Sequence, residues 1–80
     1  PDPECLLKVV SQLNLQPKQC VFVEDSLRGM KAAQSVGMAC IIVPNPLTVN
    51  ADYSESNAIL SSLEELTADR IIDVSRRRSS

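Results

Sequence analysis

Apolar residues recur at helical spacing early in the chain, at Leu6, Val9, Val10 and Leu13. They then give way to two unbroken runs, Cys20-Val21-Phe22-Val23 and Met38-Ala39-Cys40-Ile41-Ile42-Val43. Spacings of three and four set one buried stripe on a helix, whereas a short continuous run of partly β-branched residues suits a strand buried on both faces. Asp2 before Pro3 predicts an N-cap with proline at the first helical position. The helix should end at Asn14-Leu15-Gln16-Pro17, because the residue before a proline avoids the α region. Between the two runs, Ser26 is placed to cap a second helix in which Gly29, Ala32, Ala33 and Val36 share one face. All four are small for a core stripe, so this helix is expected to lie close against a sheet. Gly37 then fits the left-handed position that stops a helix.

The order helix, strand, helix, strand predicts an α/β fold with parallel strands and right-handed crossovers. Pro44 and Pro46 bar the second strand from continuing, and the region to Asn57 reads as polar loop with one aromatic, Tyr53. Ala58-Ile59-Leu60 suits a short third strand. Ser62 to Leu66 reads as the start of a short helix, and Asp69 to Val74 either continues it or forms a separate turn. Residues 1–74 are expected to form one domain, followed at 75–80 by a flexible basic tail containing Arg76-Arg77-Arg78.

Composition narrows the partners more than the fold. With 80 residues the chain is near the size at which a single core stabilises only marginally. Its 8 basic and 10 acidic residues give a net charge of −2, which argues against nucleic acid or an anionic membrane as the principal partner. No stretch approaches the roughly 20 apolar residues that span a bilayer, and Pro1-Asp2-Pro3-Glu4 is not a signal peptide. Cys5, Cys20 and Cys40 lack CxxC spacing and sit in apolar segments. They read as buried free thiols in a reducing compartment, hence a cytoplasmic protein.

The chemistry concentrates at Glu24-Asp25, where the first apolar run ends. Charged side chains cannot enter a strand buried on both faces, so the acids mark its carboxyl end, and in open parallel sheets ligands bind in the crevice beyond those ends. Two adjacent carboxylates repel unless a cation, a proton or a basic side chain offsets them. Mg²⁺ suits such a pair, since it is usually held by one or two carboxylates with waters and phosphate oxygens. The structural alternative needs no metal: Ser26 caps a helix, and acids beside a helix start are stabilised by its dipole. Asn45, Thr48 and Asn50 could reach the crevice if their loop folds inward, although exposed loop polarity is the commoner outcome.

The run Val21-Phe22-Val23-Glu24-Asp25-Ser26, taken with Pro1-Asp2-Pro3-Glu4, Gly29-Met30-Lys31-Ala32-Ala33 and Val36-Gly37-Met38, resembles the C-terminal part of a haloacid dehalogenase (HAD) superfamily hydrolase. The resemblance covers about residues 1–66 and is to the branch of β-phosphoglucomutase and phosphoglycolate phosphatase-like enzymes. It implies a partial Rossmann-like three-layer sandwich that lacks the upstream nucleophile strand and cap. It also implies phosphoryl transfer through an aspartate nucleophile, with Mg²⁺ held partly by acids on a later strand. Carried over by position, Asp25 would be the direct or water-mediated Mg²⁺ ligand and Glu24 its supporting neighbour. No Asp-x-Asp nucleophile segment occurs in these residues, and the family's lysine, which stands just before the Pro-Asp-Pro segment, has no counterpart. Lys8 and Lys18 are poor substitutes for it.

The resemblance therefore implies part of a Mg²⁺-dependent phosphatase or phosphomutase acting on a small phosphorylated metabolite, inactive by itself. A different class of reading is a non-catalytic α/β interaction module or a degenerate truncated product, which self-associates through its incomplete sheet. A response-regulator receiver would need a phosphoacceptor aspartate ending a later strand, and neither later run ends in one. If the acids stand half-assembled, charge-neutralising Asp25→Asn is expected to stabilise the chain.

Overall fold

Asp2 caps the first helix as its place before Pro3 predicts, its Oδ1 accepting the Glu4 N–H at 2.9 Å. The computed structural model describes residues 2–79. Helix α1 runs Pro3–Gln12, and its exit is set earlier than the proline signal suggests. Asn14 takes a left-handed conformation (φ 57°), which asparagine visits more readily than most residues. The Leu15 N–H then bonds back to the Val10 carbonyl at 3.1 Å. A 3₁₀ turn at Pro17–Gln19 leads into β1, Val21–Glu24. Helix α2, Leu27–Ser35, strand β2, Ala39–Ile42, and strand β3, Ala58–Ile59, follow. Ser62–Leu66 yields only a 3₁₀ turn at Leu63–Glu65, and α3, Ala68–Ser79, is a separate helix. Of the tail expected at 75–80, residues 75–79 lie within α3, which corrects the flexible tail, and the side chains of 77–80 are outside the described residues.

All strands are parallel, in the order β1-β2-β3. The register pairs Val21 with Ala39 through Glu24 with Ile42, and Ile41 with Ala58. Because side chains alternate across a strand, β2 supplies two cores. Cys40 and Ile42 pack with Val10 of α1, with Met30 and Ala33 of α2 and with Tyr53, while Phe22 borders them. Ala39 and Ile41 pack with Leu60 and Val74 on the other face, bordered by Val21 and Val23. Two helices on one face and one on the other make the three-layer sandwich.

Four expectations need correcting. Strand β1 is half-buried throughout, not buried on both faces, because among the described residues it has a hydrogen-bonded neighbour on one side only; β2, flanked on both sides, is fully buried. The apolar stripe of α1 is covered only at Val10 and partly at Leu6, leaving Val9 and Leu13 55% and 60% exposed. That helix leans chiefly on α2, which leaves an open groove between its stripe and β1. The cysteines are free, but only Cys40 is buried; Cys20 is half-buried and Cys5 exposed. Tyr53, read as a loop aromatic, is buried in the α1/α2 core. Gly37 has φ 75°, as the helix stop requires.

Candidate metal centre

Glu24 is the last residue of β1, and the ladder continues one step past it, with the Val43 N–H bonding to the Glu24 carbonyl at 2.9 Å. Its half-buried side chain folds back toward α2. Oε1 accepts the Asp25 N–H at 2.9 Å and the Ser26 hydroxyl at 3.4 Å. Ser26 in turn caps α2, its Oγ accepting the Gly29 N–H at 3.2 Å. A Cβ on Gly29 would fall on Cγ, Cδ and Oε2 of Glu24, so the bare glycine is what lets the glutamate lie over the first turn of the helix. A carboxylate there is favoured by the positive end of the helix dipole. The Ser26 cap and the acid pair are thus one hydrogen-bonded unit, where the sequence offered them as alternatives.

Asp25 is exposed, and its carboxylate is held from across the sheet. Asn45 Nδ2 donates to Asp25 Oδ2 at 2.9 Å. Asn45 is itself fixed, because its Oδ1 accepts the Leu47 and Thr48 N–H groups at 2.8 and 3.1 Å and its own N–H donates to Thr48 Oγ1 at 3.0 Å. The Tyr53 hydroxyl donates to the Thr48 carbonyl at 2.7 Å and lies 3.4 Å from the Asp25 carbonyl. The loop after β2 therefore folds inward, with Asn45 at the acids and Thr48 bracing it, while Asn50 stays in solvent. The Glu24 carboxyl first, and the Asn45 amide second, hold the Asp25 carboxyl below its usual range.

A cleft of about 470 Å³ opens at the carboxyl ends of the strands, lined by Glu24, Asp25 and Asn45 on one side and Ser61 and Ser62 on the other. The serines are committed to Glu65. Its Oε2 accepts the Ser61 N–H and hydroxyl and the Ser62 N–H, and these bonds hold the Glu65 carboxyl low. Sequence reasoning missed this second wall, for which Ser62 with Glu65 three residues on, a capping box, was the available signal. Lys8 and Lys18 are exposed and do not line the cleft.

The donor set fits Mg²⁺ in part. Asp25 offers a hard, exposed carboxylate beside a cleft roomy enough for waters and phosphate oxygens, which is how that ion is usually held. Glu24 has one oxygen engaged by two donors and the other packed over Gly29, so it stands behind Asp25 as support. Among the described residues, no group of three or more His, Cys, Asp or Glu side chains is placed to hold a metal ion.

A model of the family described as haloacid dehalogenase-like hydrolase matches residues 1–43. The putative phosphatase YhcW of Bacillus subtilis is 34% identical over 73 residues, covering 91% of this chain and 33% of that protein. Hexitol phosphatase B of Escherichia coli is 38% identical over 73 residues, covering 90% and 33%. The crystal structure of CbbY from Rhodobacter sphaeroides in complex with phosphate superposes with a TM-score of 0.83 at 29% identity, covering 90% of this chain and 32% of that one. A second CbbY structure, in complex with xylulose-(1,5)bisphosphate, gives 0.77 at 32% identity, covering 82% and 29%. The chain thus spans about a third of the length of the relatives it matches.

Proposed function

Because this chain belongs to the haloacid dehalogenase-like hydrolases, in the branch of β-phosphoglucomutase and phosphoglycolate phosphatase-like enzymes, we propose that it supplies the acidic, Mg²⁺-binding corner of a phosphatase or phosphomutase acting on a small phosphorylated metabolite. The observation that carries the reading is the exposed Asp25 carboxylate, braced by Asn45 at the strand ends and opening onto the cleft. Relatives named as phosphatases, and a related structure holding a sugar bisphosphate, support the substrate class.

Asp25 would hold the cation, with Glu24 positioning Asp25 through its N–H. Bound there, Mg²⁺ would offset the repulsion between a carboxylate nucleophile and a phosphate dianion. The described residues bring no second aspartate to the cleft, and the covalent step requires one. The 80-residue chain alone is therefore expected to be inactive. Mg²⁺ added to the chain should shift the backbone amide resonances of Asp25 and Ser26, and Asp25→Ala should abolish those shifts; equal shifts in the variant would sink the metal reading. Rapid Mg²⁺-dependent release of p-nitrophenol from p-nitrophenyl phosphate would contradict the expected inactivity.

Two observations favour a second reading, a non-catalytic module that self-associates: among the described residues β1 has an open edge, and the apolar Val9 and Leu13 stand exposed on α1. Sedimentation velocity over a range of concentrations separates the two, since a constant monomer argues against it. Among the described residues no helix is long and apolar enough to cross a membrane. The free thiols fit a reducing compartment such as the cytoplasm.

A further inference from the structure

We infer that Asn45 is a positioning residue for the Asp25 carboxylate, holding Oδ2 through its amide so that Oδ1 is the oxygen presented to a divalent cation. The inference rests on the reading of Asp25 as the cation's ligand. An exposed aspartate would otherwise sample several rotamers, and ordering it would count against binding. Here the ordering is built into the fold. The Asn45 amide reaches Asp25 Oδ2 at 2.9 Å while its other end closes a turn with the Leu47 and Thr48 N–H groups. Pro44 and Pro46 restrict the backbone on both sides of Asn45. The turn is anchored to the core by Tyr53, which is 4% exposed and whose hydroxyl donates to the Thr48 carbonyl at 2.7 Å. The same hydroxyl lies 3.4 Å from the Asp25 carbonyl, so one loop braces both the backbone and the side chain of the aspartate. An outer partner of this kind, donating to a ligating carboxylate, orients the ligand and is worth about 10- to 100-fold in metal affinity.

The test uses Mn²⁺ as the probe, its free-ion electron paramagnetic resonance signal giving the dissociation constant for the chain and for two variants, Asn45→Ser and Asp25→Ala. Serine keeps an oxygen that can accept the Leu47 and Thr48 N–H groups but is too short to reach Asp25, so the turn holds while the brace is lost. Asn45→Ser is expected to weaken Mn²⁺ about tenfold, with the amide spectrum of residues 47–53 retained. In the unsubstituted chain, Mg²⁺ is expected to move the side-chain NH₂ resonances of Asn45, a response that a merely structural asparagine would not give. If Asn45→Ser binds Mn²⁺ as tightly as the unsubstituted chain while Asp25→Ala loses it, the positioning role is refuted and the cation site stands. If Asp25→Ala binds as tightly as the unsubstituted chain, the cation reading falls and this inference with it. Should Asn45→Ser disturb the turn, unmoved Asn45 NH₂ resonances in the unsubstituted chain would refute the inference on their own.

Discussion

Gly29 and Glu24 form a pair in which each residue explains the other. Alanine normally favours a helix interior over glycine by about 1 kcal/mol, yet a Cβ at Gly29 would occupy the space of the Glu24 side chain. Gly29→Ala is therefore expected to destabilise the chain by about 1–3 kcal/mol. Placed in a Glu24→Ala background, the same change should stabilise by about 1 kcal/mol; denaturant unfolding of the four chains in this double-mutant cycle measures the sign reversal. Asp25 carries a pH dependence. Its folded carboxyl titrates below the ordinary value, so it contributes stability above the ordinary carboxylate range and loses it as pH falls through the lowered value. The Asn45 bond thus reverses the expectation that Asp25→Asn stabilises. The variant should unfold at lower denaturant than the unsubstituted chain at neutral pH, and the two midpoints should converge in acid. Cys40, by contrast, has no role in the cleft: burial, and then the charge of Glu24, push its thiol up to about 11, leaving it unreactive in the folded chain.

At the scale of elements, the start of α2 links fold and site. Ser26 Oγ accepts the Gly29 N–H while its hydroxyl donates to Glu24, so one side chain caps the helix and steadies the acid. Ser26→Ala should cost about 1 kcal/mol, the usual worth of such a cap, and circular dichroism during thermal unfolding would show it as an earlier transition. The same substitution should also shift the Asp25 amide resonance, since Glu24 loses one of its two donors. The loop after β2 is the other element that matters. Its polar composition reads as solvent-facing, but Pro44, Pro46 and the Asn45 turn aim it back over β1. The 3₁₀ turn at Leu63–Glu65 closes the opposite wall, turning Ser61 and Ser62 toward Glu65.

For the molecule as a whole, the open side of β1 and the uncovered stripe of α1 lie next to each other. Val9, Val10 and Leu13 of α1 line an apolar groove of about 340 Å³ with Val21 and Phe22 of β1. If this face drives self-association, Val9→Lys with Leu13→Lys should abolish any concentration-dependent sedimentation. Both side chains are more than half exposed, so folding should be little affected, within about 0.5 kcal/mol. The sequence by itself determined the local features. The cap at Asp2, the cap at Ser26, the stop at Gly37 and the buried run of β2 were legible because each depends on neighbours within a few residues or on a simple apolar period. It also determined that Glu24 and Asp25 stand at the carboxyl end of a strand, where the apolar run stops. Only the tertiary structure decided that β1 has an open edge, because burial depends on how many strands flank it. Only the structure, too, brought Asn45 to Asp25 and Tyr53 over both. Those contacts join residues 20 and 28 positions apart, and no local propensity records a hydrogen bond formed when parallel strands set two distant loops side by side.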